Sequence, residues 1–225
     1  MKIFFLHFLF VFILLSCNVS EESLSMGIRS VIESDSTNNM VAKVYLEGAD
    51  GQAINGSLVY IITPSNEINL LNFNYDIGCF TESLGSPQSG NYIIKAESRA
   101  YGSSTQDIQF ESLGSSIEFM IFQDDSGSDA LLGDNLNFDS SFSIAWTSIE
   151  PVTVYTFILV KPDGSIYNVS TSESSVLINR EEINSSGNYS VQITAQYISG
   201  DPLFIDFDYY AVNELKSSRF YFEVN

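Results

Sequence analysis

The sequence predicts an all-β protein: two tandem β-sandwiches behind a short hydrophobic leader. Three observations carry that prediction. Beyond residue 40, β-branched and aromatic residues alternate with polar ones at a period of two, cut by Gly, Asn, Asp and Ser. No long stretch after the leader shows a 3.6-residue period. Blocks of the first half recur in the second at nearly constant spacing. A chain of 225 residues has room for one large domain or two small ones. Its 44% hydrophobic and 13% aromatic content suffices for a buried core, which excludes global disorder.

The first element is the leader, MKIFFLHFLFVFILLSCNVSEES. Lys2 is a minimal basic start, and residues 3–15 form an apolar run broken only by His7. As a helix that run would span about 20 Å, short of the roughly 30 Å hydrocarbon core of a bilayer. It has the length of a secretory signal, not of a membrane span. Leu14, Leu15, Ser16 and Cys17 close the run, and polar residues follow. These four residues resemble the lipobox of bacterial lipoproteins, with an aliphatic residue three before the cut, a small one just before it, then cysteine. The resemblance implies that residues 1–16 are removed as a signal peptide, that Cys17 carries a diacylglyceryl thioether, and that its new amino group is acylated. Several acyl chains would hold the protein stably, since burial is worth about 0.8 kcal/mol per methylene. The implied address is the bacterial cell envelope, periplasmic or surface-exposed, with the lipid as the contact to the membrane. The competing reading is an ordinary secretory signal that ends near a cysteine.

Charge and residue types then narrow the chemistry. The formal net charge is −19, and removing residues 1–16 takes Lys2 and no acid, leaving 8 basic against 28 acidic residues. Such a charge repels nucleic acid and anionic membrane surfaces, so neither is expected as a ligand of the folded part. Cys17 and Cys79 are the two cysteines, too few for a disulfide framework or a cysteine zinc site. His7, the single histidine, lies in the leader. A processed chain therefore holds no Ser-His-Asp triad, no histidine metal site and no histidine acid–base catalyst.

Residues 17–39 are polar without sustained period and read as a tether. Residues 40–123 form the first expected sandwich, 124–135 an acidic Gly/Ser-containing linker, and 136–225 the second sandwich. The duplication rests on three blocks. YIITPSNEI (Tyr60 onward) lines up with ILVKPDGSI (Ile158 onward), which superposes Pro64 on Pro162. SGNYIIKA matches SGNYSVQI, which superposes Tyr92 on Tyr189. SSIEFMIF (Ser115 onward) pairs with SSRFYFEV (Ser217 onward). Within the second unit NYSVQITAQY places Tyr189, Val191, Ile193, Ala195 and Tyr197 on one face, and LFIDFDY reads as another strand.

The second unit resembles a fibronectin type III or related bacterial immunoglobulin-like domain. SFSIAWTS puts Trp146 on an early strand, VYTFILVKPDG carries Tyr155 into a turn, and INSSGNY sets Ile183 six residues before Tyr189. The resemblance implies a tyrosine corner at Tyr189, its ring in the core and its hydroxyl tied to nearby backbone. The first unit keeps Gly90, Asn91 and Tyr92 but has Gly48 opposite Trp146 and Ser86 at the corner position. The expected fold class is therefore two tandem immunoglobulin-like, fibronectin type III-like β-sandwiches after a lipoprotein signal peptide.

Catalysis is not expected, and neither is a cofactor. Trp146 and Cys79 read as core residues rather than as a sugar platform and a nucleophile. Asp206 with Asp208, and Glu181 with Glu182, are the carboxylate pairs in the second unit. Alternation places both aspartates on the solvent side, where burial cannot tune them. Asp124, Asp125, Asp129 and Asp134 are candidate Ca²⁺ ligands at the linker, although their spacing matches no EF-hand loop. The expected partner is an unidentified protein or glycan. Adhesion or protein interaction through loops such as 161–165 and 199–202 is the first reading. An accessory carbohydrate-binding lipoprotein presenting Tyr209 and Tyr210 is the second.

Overall fold

The computed structural model describes residues 25–49, 51–114, 116–124, 129–130, 141–204 and 208–224, with backbone alone at 120–124 and 129–130. The first sandwich comprises β1 (Met26–Ser34), β2 (Met40–Gly48), β3 (Leu58–Ile62), β4 (Ile68–Asn74), β5 (Cys79–Gly85), β6 (Gly90–Ser98) and β7 (Gly102–Phe110). One layer runs β1-β2-β5 and the other β4-β3-β6-β7. β4 belongs to both: Ile68 to Leu71 pair with β3, while Asn72 to Asn74 pair with β5. Strict alternation builds the core. On β2, Met40, Ala42, Val44 and Leu46 are buried while Val41, Lys43, Tyr45 and Glu47 are not. Full burial of side chains such as Val or Leu is worth about 1.5–3 kcal/mol each.

The second sandwich comprises β8 (Phe119–Asp124), β9 (Asp129–Ala130), β10 (Phe142–Trp146), β11 (Val154–Val160), β12 (Ile166–Thr171), β13 (Ser175–Ile178), a 3₁₀ turn at Arg180–Glu182, β14 (Gly187–Gly200), β15 (Tyr209–Lys216) and β16 (Phe220–Val224). Its layers are β13-β10-β8-β9 and β12-β11-β14, with β15 and β16 both antiparallel to β14. Ser217 separates β15 from β16 and keeps the ladder closed: its backbone N–H donates to Ile193 O at 2.8 Å and its Oγ accepts from Ile193 N at 2.9 Å. The core gathers Phe142, Ile144, Trp146, Tyr155, Phe157, Tyr189, Val191, Ile193 and Phe222.

The two sandwiches share a sheet. β15 leaves its own domain and pairs in parallel with β1, Ser30 opposite Tyr209 through Ser34 opposite Asn213. A single sheet therefore passes from β12 through β11, β14, β15, β1 and β2 to β5. Ala211 is fully buried within the core of the first sandwich, and Tyr209 packs against it.

Four sequence expectations are corrected by these strands. Within the expected tether, residues 26–34 are a core strand, with Met26, Ile28 and Ile32 buried on the face that also carries Ser30 and Ser34. The third repeat block is not an equivalence: SSIEFMIF contains β8, which opens the second sandwich, whereas SSRFYFEV contains β16, which closes it. The first sandwich ends with β7, so residues 119–123 belong to the second, and Asp124, Asp129 and Ala130 of the expected linker lie on its strands. The rest of the linker lies outside the described residues. LFIDFDY does not begin as a strand: 201–204 turn, with Phe204 at φ 53° and Leu203 exposed, and β15 starts only at Tyr209.

Candidate interaction surface

The duplicated parts of the fold hold the surface in place, and they are built alike. Tyr92 donates its hydroxyl to Gln88 O at 3.0 Å, and Tyr189 donates to Ser185 O at 2.8 Å. Burial pushes the Tyr92 hydroxyl above its ordinary value. Gly90 and Gly187 stand at φ +134° and +133°, a conformation that disfavours any other residue. A Cβ on either would meet Pro64 at 2.9 Å or Pro162 at 3.0 Å. Both units thus carry a tyrosine corner, including the first, where Ser86 replaces the aliphatic residue.

The second unit adds an aromatic cluster. Trp146 stacks on Phe157 at 6.3 Å and meets Tyr155 edge-on at 5.4 Å. The Tyr155 hydroxyl donates to Ile149 O at 3.3 Å and accepts from Ile149 N at 2.8 Å. Trp146 is a core residue, buried, with Nε1 lacking a hydrogen-bond partner among the described residues.

The seam between the sandwiches is polar at its centre. Gln106 on β7 accepts from Ser30 Oγ and donates to Asp208 O at 2.9 Å and to Ile28 O at 3.4 Å. Asn213 donates to Glu111 O at 3.2 Å. Phe110 meets Tyr197 edge-on at 6.5 Å, and the Arg29 guanidinium sits 5.8 Å from the Phe204 ring centroid. A groove of about 350 Å³ runs along the seam, lined by Glu33, Asp35, Tyr210 and Glu214 among others. Burial, with Glu33 nearby, pushes the Tyr210 hydroxyl up. Tyr209 and Tyr210 are therefore half-buried parts of the seam rather than a displayed aromatic platform.

A second open groove, of about 750 Å³, lies at the end of the first sandwich between residues 53–58 and 97–101. Arg99 and Tyr101 line it, and Arg99 has no ion pair among the described residues.

The layer β4-β3-β6-β7 turns an apolar face outward. Val59, Ile61, Leu71, Tyr92 and Ile94 point into the core, so the alternate residues face solvent. Register places Ile68, Ile62, Ile93 and Asp107 in one row across the strands, and Leu70, Tyr60, Lys95 and Thr105 in the next. Leu58 lies in the third row beside Glu97. Leu58, Ile68 and Leu70 are 48%, 69% and 52% exposed, too open to count as core. Sequence periodicity marked these strands but could not mark this face, because alternation shows which residues share a side and not which side is covered.

The remaining predicted residues are scattered. Cys17, Asp125, Asp134 and Asp206 lie outside the described residues, and Asp124 and Asp129 stand on β8 and β9. Asp208 is exposed and contributes its carbonyl to Ser30 N at 3.0 Å and to Gln106. Glu182 pairs with Lys161 at 2.7 Å, which ties the 161–165 turn to the 3₁₀ turn, while Glu181 is exposed. Cys79 is fully buried beside the Tyr45 hydroxyl, and burial pushes its thiol up, opposite to what a nucleophile needs.

No protein family model matches the chain, and no curated protein matches it in sequence. Solved structures resemble it in tandem β-sandwich architecture. A two-domain fibronectin type III segment from chicken tenascin is 14% identical, with 84% of this chain and 93% of that one covered and a TM-score of 0.31. Chicken CNTN1 FN1–FN3 domains are 13% identical, with 86% and 62% covered and a TM-score of 0.40. Clostridium thermocellum CbhA fibronectin(III)-like modules are 9% identical, with 88% and 92% covered and a TM-score of 0.39. Strand order and register define the fold here, and no residue role transfers from these likenesses.

Proposed function

We propose that the chain is a lipid-anchored cell-envelope protein whose fused sandwiches present a protein-interaction surface and perform no catalysis. The observation that carries this reading is the parallel pairing of β15 with β1. It turns two modules into one stiff body and commits the second unit's longest hairpin to holding that body together. A rigid scaffold that displays sheet faces and loops suits recognition, where a preorganised surface lowers the cost of binding. The anchor is supported by the Leu14 to Cys17 segment. With β1 starting at Met26, only residues 18–25 separate Cys17 from the sheet. That stretch reaches about 28 Å at most, at roughly 3.5 Å per residue.

Mass spectrometry of the amino-terminal peptide from membrane fractions tests the anchor. A Cys17 carrying the diacylglyceryl thioether and an acylated amino group, with residues 1–16 removed, is expected, and Cys17→Ser is expected to release the protein from the membrane. An unmodified, uncleaved terminus would overturn it. The interaction arm is tested separately through the face described next.

A further inference from the structure

The duplication supplies an internal reference for the outer face of the first sandwich. The same strand positions in the second unit carry Thr156 for Leu58, Asn168 for Leu70 and Ser190 for Ile93, while Ile158, Val160 and Ile166 stay apolar at the places of Tyr60, Ile62 and Ile68. Hydroxyl and amide groups therefore suffice at three positions of this layer. In the first unit those positions are apolar, although the core beneath them is already complete. A cluster of exposed apolar side chains with a polar rim marks a contact surface.

The rim says what covers it. Glu97 accepts from Tyr60 at 3.4 Å, Asp107 from Asn91 at 3.1 Å and Glu82 from Asn72 at 3.2 Å, and Glu67 is exposed beside Ile68. Among the described residues Lys95 is the cation on these rows, and Arg99 lines the groove beside Leu58 and Glu97, so the rim stays net acidic. A second copy would bring the same acidic rim and the same net charge of −19.

We propose that the outer face of β4-β3-β6 is the docking site for a protein surface with an apolar centre ringed by lysine or arginine. Leu58, Tyr60, Ile62, Ile68, Leu70 and Ile93 supply the dry centre, and the carboxylates at the rim set orientation and encounter rate. This rests on the reading of the chain as an interaction module, and not on the lipid anchor.

The test uses the full chain and a short peptide of alternating leucine and lysine, with the leucine–glutamate peptide as the charge-reversed control. Amide shifts are mapped by NMR, and affinity is measured at physiological salt. Shifts confined to β3, β4 and β6 support the proposal, as does affinity reduced about tenfold or more in Leu58→Thr/Leu70→Asn/Ile93→Ser. That variant installs the second unit's own residues on a solvent face, and its unchanged amide pattern elsewhere would confirm its fold. Equal binding by the triple variant overturns the site, as does equal binding of the leucine–glutamate peptide. Shifts gathered on the second sandwich overturn this face but leave the interaction reading standing. Sedimentation showing a dimer that the triple variant abolishes would assign the face to a second copy, against the proposal. No binding of either peptide overturns this face and leaves the interaction reading to the other surfaces.

Discussion

The first and second sandwiches agree where the backbone is constrained and part company where it is free. Pro64 against Gly90 and Pro162 against Gly187 are the same close contact, and each is followed by a tyrosine corner. At those points a Cβ would collide or a carbonyl would lose its partner, so the residue types are dictated by geometry. Elsewhere the units diverge. One fills the end of β10 with Trp146, the other ends β2 at Gly48. One extends its last hairpin to reach its neighbour, and the other turns sharply at 99–101. At three positions the outer faces differ, with Leu58, Leu70 and Ile93 in one and Thr156, Asn168 and Ser190 in the other. A duplicated scaffold thus separates what the fold requires from what each copy has been left free to do.

The largest way to break that comparison is Trp146→Ala. The indole is buried between Phe157 and Tyr155, and the loss leaves a cavity that a β-sheet cannot collapse around. A destabilisation of about 3–5 kcal/mol is expected by urea unfolding. Native-state hydrogen exchange should rise first in β10, β11 and β13, ahead of the first sandwich, which never had a tryptophan at this place. Exchange rising equally in β2 and β6 would show that the two cores act as one cooperative unit.

The seam is next in size. Ala211→Asp places a carboxylate at a fully buried position opposite Ile32, with no cation across from it. A cost of about 3 kcal/mol is expected, because an unpaired buried charge is poorly compensated. The first sandwich should be the one that suffers, since Ala211 belongs to its core although the chain carries it in the second. Small-angle scattering should broaden as the sandwiches move independently. A profile unchanged from the parent would mean that the 111–118 connection alone fixes the geometry.

The same seam explains what could and could not be read in the sequence. Trp146, Tyr155, Tyr92 and Tyr189 were legible because each sits in a local pattern with one dominant cause. β1 was not, because Ser30 and Ser34 interrupt its apolar side. Those serines are inward-facing, and they are tolerated there because Gln106 satisfies Ser30 and the face abuts a polar seam. The pairing of β1 with β15 joins Ser30 to Tyr209 across most of the chain, and alternation carries no information on it. The match of SSIEFMIF with SSRFYFEV shows the converse: two strands of similar composition can stand at opposite ends of one sandwich. The outer apolar face was half legible, its strands visible and its exposure not.

Smaller in effect, Gly90→Ala and Gly187→Ala compare the two units at their most alike. Each variant forces a side chain into positive φ and against a proline ring, and about 2 kcal/mol is expected for either. Thermal unfolding should lower both by similar amounts. A large inequality would mean that one proline can yield, and would locate the looser of the two corners.

The finest comparison is between two turns. Asp35 accepts from Thr37 N at 2.8 Å, Thr37 Oγ1 at 2.6 Å and Asn39 N at 3.4 Å, and these bonds hold its carboxyl below the ordinary 3.8. Asp163 is held below the same value by Ser165, whose N–H lies at 2.9 Å. Because each pKa is depressed on folding, each carboxylate favours the folded state above its unfolded value, and that preference is lost as pH falls through the folded one. The window therefore lies at and below 3.8, and both groups are fully exposed, so the effect on stability is small. One difference tests the seam itself: Lys216, on β15 of the second sandwich, also draws Asp35 down, while Asp163 depends on its own turn and on Lys161. Carboxyl titration followed by NMR should show Asp35 rising slightly in Lys216→Gln, with Asp163 unmoved. Equal shifts in both would mean that Lys216 acts through the whole charge of the chain, and not across the junction of β15 with β1.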